Sequence, residues 1–177
     1  MSVDSRFSEE ERLLLTTVPS AVGSAMAFSE SSGVIGTMKE MLANAKSILS
    51  GVKQYPNNDI IAGVLPNLDD RKEAMQKAME MRDAALARMK EKGIDSYDKL
   101  TSQLIEDCGT VASVLASKAS KQEADEYKEW AMSVAEKVAM AAKEGGFLGF
   151  GGEQISEGEK KMFTDIAAAL GTNSRLV

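Results

Sequence analysis

Apolar residues recur at helical spacing along nearly the whole 177-residue chain, and no segment alternates with a period of two. That pattern confines the fold to helices packed on helices, because a half-buried strand needs apolar and polar residues to alternate. Start and stop signals punctuate it. Ser8 with Glu11, Ser120 with Glu123 and Ser156 with Glu159 have the spacing of capping boxes, in which each side chain satisfies the other's backbone N–H. Gly93 and Gly171 stand where helical patterns stop, and glycine takes the left-handed backbone of a helix end without strain. The expectation is an all-α helical bundle of about six helices in a single domain, residues 1–177.

The first helix runs from Ser8 to about Ser29 and is expected to bend or restart at Pro19. The second carries Ile35, Met38, Leu42, Ala45 and Leu49 at alternating steps of three and four, one apolar stripe. Gly51 to Leu68, with Pro56, Asn57, Asn58 and Pro66, reads as a loop holding a short turn at Ile60 to Leu65. A long charged helix spans Asp69 to Glu91, and another runs from near Ser96 to about Ser117. The next opens at Ser120 and sets Tyr127, Ala131, Val134, Val138 and Ala141 on one face, and a last helix runs from Ser156 to Gly171.

Displacing the sequence by 89 positions lays the stripe Ile35, Met38, Leu42, Ala45, Leu49 on Ala124, Tyr127, Ala131, Val134, Val138 without a gap. Leu15 then meets Leu104, Val22 meets Val111, Ser31 meets Ser120, and Lys39-Glu40 meets Lys128-Glu129. Identities alone run at roughly twice the chance level of so alanine-rich a chain; the agreement of helix breaks and stripes adds the weight. Two tandem pseudo-symmetric three-helix repeats are expected, at about 15–88 and 104–177.

Charge and composition exclude several classes. A net charge of −6 argues against a nucleic-acid partner, whose footprint is a basic stripe. The single cysteine, Cys108, forbids an internal disulfide and fits a reducing, cytoplasmic location. The polar N-terminus leading to Glu9, Glu10 and Glu11 does not read as a signal peptide. The longest uncharged run, Leu13 to Ser29, contains Pro19, Gly23 and five hydroxyl residues, too polar for a membrane span.

Constellations for chemistry are absent from the sequence. Without a histidine the chain lacks the usual general base near neutral pH and the commonest metal ligand. Cys108 lies mid-helix beside Asp107 and reads as a small buried hydrophobe. Glu123, Asp125, Glu126 and Glu129 form an acidic cluster in which an all-oxygen cation site is conceivable, though a solvated helix face is the simpler reading. No catalytic residue, cofactor or metal is expected, and the chain reads as no enzyme.

The residues left for binding are apolar. Gly145, Gly146, Phe147, Leu148, Gly149, Phe150, Gly151 and Gly152 form a glycine-rich run with three large side chains. It is no P-loop, since Gly152 and Glu153 occupy the Lys and Ser/Thr positions. Gly146 and Gly149 would let the backbone turn so that Phe147, Leu148 and Phe150 reach an apolar surface, as a docking or lid loop. Met75 and Met79, with Met89 and Leu86, share one side of the charged helix: core filling is the economical reading, a promiscuous interface the alternative. Trp130 is read as a core or interface anchor.

The run from Glu144 to Glu153, followed by Ile155, Ser156 and Glu159, resembles the ending of a set of small bacterial proteins of uncharacterised function. Pro19 to Gly23 and Gly36 to Glu40 are similar to segments of the same proteins. The resemblance implies an all-helical, soluble, cytoplasmic protein and brings no activity with it. The expected function is a non-catalytic structural or protein-interaction module that forms a homo-oligomer or docks an unknown protein partner. The alternative is a bundle holding a small apolar ligand between helices.

Overall fold

The computed structural model describes residues 3–28, 33–66, 71–143 and 155–173. Among them are eight helices: α1 (Val3–Arg6), α2 (Glu9–Phe28), α3 (Gly33–Gln54), α4 (Asp59–Val64), α5 (Arg71–Glu91), α6 (Tyr97–Lys118), α7 (Lys121–Lys143) and α8 (Glu157–Leu170). The six long ones match the sequence expectation, and no strand occurs among the described residues. The glycine-aromatic run, with Gly146, Phe147, Leu148, Gly149 and Phe150, lies outside the described residues.

All three capping boxes form. The backbone N–H groups of Ser8, Ser120 and Ser156 donate to Glu11, Glu123 and Glu159 at 2.7, 2.9 and 2.8 Å. The N–H groups of those glutamates donate back to the serine hydroxyls at 3.2, 3.2 and 3.0 Å. Asn58 caps α4 by accepting from Ile60 and Ile61 N–H. Gly171 closes α8 at φ 64°, and Gly93 turns the chain after α5 at φ 63°.

α2 and α7 form the central pair, each in contact with α3, α6 and α8. Between them and their neighbours lie Leu15, Val22, Met26, Tyr127, Trp130, Val134, Val138, Ile166 and Leu170, all buried. The rings of Tyr127 and Trp130 meet edge to face with centroids 5.5 Å apart. α4 closes one end, burying Ile60, Ile61 and Val64.

Two expectations are corrected. α2 runs unbroken through Pro19. Proline has no N–H, so the Leu15 carbonyl one turn earlier loses its partner. The buried Tyr127 hydroxyl donates to that carbonyl at 2.6 Å, and so supplies the missing bond from another helix. Second, α3 continues past Gly51 to Gln54. Gly51 lies against the Trp130 indole, where a Cβ would stand 2.5 Å from Nε1. Glycine is there for close approach, not to end a helix.

The long helices follow the expected order, α2, α3 and α5 and then α6, α7 and α8, but the last helix of each set packs differently. α8 packs against α6, α7 and α2. α5 packs against α2 near its C-terminal end, where Arg88 makes a two-pronged ion pair with Asp107 of α6 at 2.6 Å. The sequence-aligned stripes also differ in burial: Ala131 and Val134 are fully buried, Leu42 and Ala45 exposed.

Candidate docking surface

α3 is amphipathic in a way its sequence conceals. Its inward face against α2 and α7 consists of Asn44, Ser47 and Gly51, with Ala43 and Ile48 partly covered. Asn44 Nδ2 donates to the Ser20 carbonyl at 3.0 Å and to Ser24 Oγ at 3.3 Å. Gly23 of α2 makes room for that side chain: a Cβ there would stand 2.4 Å from Asn44 Oδ1. Two glycines thus bring α2, α3 and α7 close together, one on each side of a polar contact. Small and polar residues line the seam because larger ones do not fit.

The apolar stripe points the other way. Leu42 is 59% exposed, Leu49 39% and Val52 42%, with Ala45 exposed between them. These four positions follow steps of three, four and three, and form one row on the helix. In sequence the row extends back through Met38 and Ile35. Leaving a leucine or valine in water forgoes about 1.5–3 kcal/mol relative to full burial. The orientation holds because turning the stripe inward would drive Leu42 and Leu49 into the narrow space that Gly23 of α2 leaves for Asn44, and would carry Gly51 away from Trp130.

A second exposed row lies on α5. Met75 is 65% and Met79 47% exposed, and Leu86 is exposed too, so they do not fill the core. The reason is the position of α5: its Arg88 side faces the body, and these residues stand on the far side. Phe28 at the end of α2 and Met140 on α7 add single exposed apolar side chains. Trp130 is fully enclosed by the bundle and serves the core.

The acidic cluster at the start of α7 is already engaged. Glu123 takes a two-pronged pair from Arg6 at 2.7 and 3.1 Å while capping Ser120. The Arg6 guanidinium holds its carboxyl far down, at about 2. Lys121 pairs with Asp125, Asn58 donates to Glu126 at 2.9 Å, and Tyr55 donates to Glu129 at 3.4 Å. The concavity lined by Lys121, Gln122, Asp125, Glu126 and Glu129 is open and charged. Among the described residues no three His, Cys, Asp or Glu side chains are grouped to hold a metal. Cys108 is fully buried, and burial together with Asp107 pushes its thiol up to about 12, so it stays protonated.

No helix among the described residues is long and apolar enough to cross a membrane. No family model, curated protein or solved structure matches the chain.

Sequence reasoning found the α3 stripe but gave no sign that it faces outward. The signal was the composition of the opposite face, where Asn44, Ser47 and Gly51 follow helical spacing. A glycine and two small polar residues in one row mark a close helix contact as readily as a solvated face.

Proposed function

We propose that the protein is a non-catalytic helical interaction module of the cytoplasm that docks a protein, a second copy or another chain, through the outward stripe of α3. One observation carries this reading: Leu42, Leu49 and Val52 are substantially exposed on a helix whose opposite face is held against the core by Asn44 and Gly51. Exposed apolar side chains scattered singly need no explanation, whereas a row of them rimmed by polar residues marks an interaction site. The run holding Phe147, Leu148 and Phe150 is a second docking element in this proposal.

Light-scattering mass from about 1 to 100 µM tests the stripe, on wild type and on the Leu42→Ser/Leu49→Ser double variant. A mass above the 19.0 kDa of one chain that returns to one chain in the variant supports self-association through α3. A wild type that stays monomeric removes the second copy and leaves another protein as the occupant. A larger mass indifferent to the double variant overturns the α3 site. If it is instead lost in Phe147→Ser/Phe150→Ser, docking belongs to the glycine-aromatic run.

A further inference from the structure

We infer that the α3 stripe is shaped for one amphipathic helix of another protein, carrying carboxylates along the flank that meets Lys46 and Lys53. The inference rests on the docking role proposed above and adds the chemistry of the occupant. Three features argue for it: the width of the stripe, its charge, and how poorly this chain complements itself.

Width comes first. Leu42, Ala45, Leu49 and Val52 occupy alternate steps of three and four, two apolar positions per heptad. Such a row is the narrow seam of a two-helix contact, whereas a helix lying in a bilayer surface needs a broad apolar face. On one side the seam is bounded by the body of the protein, where Ile48 packs on the core. On the other it is bounded by Lys46 and Lys53, both exposed and seven residues apart, one residue beyond Ala45 and Val52. Lys39 continues that lysine row in sequence. These are the flanking positions whose charges select the partner in a paired-helix contact.

Charge comes second. In a chain of net charge −6, residues 42–54 of α3 carry Lys46 and Lys53 and no carboxylate. Neither lysine has an ion pair among the described residues, in contrast to Lys118, Lys121, Lys160 and Lys161. A partner helix with Glu or Asp on the facing flank completes the set, and one with Lys or Arg is repelled.

A second copy fits badly. Two α3 seams packed antiparallel bring flank to flank, which sets the lysine row against itself. A parallel pair would need the Ile48 side, which the core occupies. The other exposed row, on α5, is interrupted between Met79 and Leu86 by the Arg82–Asp83 ion pair, so it offers no continuous apolar seam.

The test uses the full chain and two labelled synthetic helices of three heptads, each with Leu at the two seam positions and either Glu or Lys at both flanks. Fluorescence anisotropy is read with the peptides at concentrations below those at which they pair. The expected result is at least tenfold tighter binding of the Glu helix, weakened by added salt. Lys46→Glu/Lys53→Glu should invert the preference, and Leu42→Ser/Leu49→Ser should bind neither helix. All four residues are exposed, so circular dichroism should be unchanged. Equal binding of both helices by wild type, lost in the Leu variant, overturns the acidic partner and leaves α3 as the docking site. Binding of the Glu helix indifferent to Leu42 and Leu49 overturns both. Failure to bind either helix, combined with capture by phosphatidylglycerol vesicles that requires Lys46 and Lys53, replaces the helix with a lipid surface.

Discussion

α3 and α7 carry apolar stripes of the same spacing, aligned position for position, and turn them in opposite directions. On α7 the stripe is the core: Tyr127, Ala131, Val134 and Val138 are fully buried. On α3 the aligned positions Leu42, Ala45 and Leu49 lie outside, and the helix is held by an asparagine, a serine and a glycine. Periodicity tells that a helix has an apolar face; it does not tell which neighbour that face meets. Between two helices the face that goes inward is the one that allows the closest approach, and on α3 that is the smaller face, held by the Asn44 Nδ2 bonds to Ser20 and Ser24.

The strongest way to break this comparison is a matched pair of substitutions at aligned positions. Val138→Ser removes buried methyl groups and buries a hydroxyl, and should cost about 2–4 kcal/mol. Leu49→Ser at the aligned site, where the side chain is 39% exposed, should cost about 1 kcal/mol or less. Urea unfolding of the two variants reads the difference, and equal losses would show that the α3 stripe is covered in the isolated chain.

A smaller effect tests what turns α3. Gly51→Ala places a methyl group against the enclosed Trp130 indole, which has no room to swing. The expected loss is about 1–3 kcal/mol, from overpacking, with a change in Trp130 fluorescence. An unchanged or more stable protein would mean that close approach at Gly51 does not set the helix orientation.

The smallest concerns how α7 is pinned at its start, where Glu123 is paired, in contrast to Lys46 and Lys53 of α3. Glu123 titrates at about 2 in the folded protein, below its ordinary value of 4.5, chiefly because Arg6 donates to it. A lowered folded value means that the carboxylate adds stability above pH of about 4.5 and loses it as the pH falls toward about 2. Arg6→Ala should therefore cost about 1 kcal/mol near neutrality, the range of a partly screened ion pair. It should also flatten the acid limb of a melting-temperature profile. An acid limb identical to that of wild type would place the sensitivity elsewhere.

Much of the fold was legible in the sequence because its signals are local. A serine three residues before a glutamate settles a helix start within one turn, and all three such starts formed. Gly93 and Gly171 marked ends for an equally local reason, a left-handed backbone. What could not be read depends on partners distant in sequence. Pro19 looked like a break because its remedy, the Tyr127 hydroxyl, sits on another helix. Gly51 looked like a loop because the indole it makes room for lies on α7. Met75 and Met79 looked like core because nothing in α5 announces that only its Arg88 side meets the body.

The bond from Tyr127 to the Leu15 carbonyl has a bearing on how the chain is assembled. The two residues are 112 positions apart, so a ribosome has delivered all of α2 long before the hydroxyl that completes it exists. Until then the first long helix holds a gap that only water can fill, and its two halves are free to hinge at the proline. The last stitch of a nominally local element is therefore a late, long-range event. Continuity of α2 then reports that the two halves of the protein have found each other.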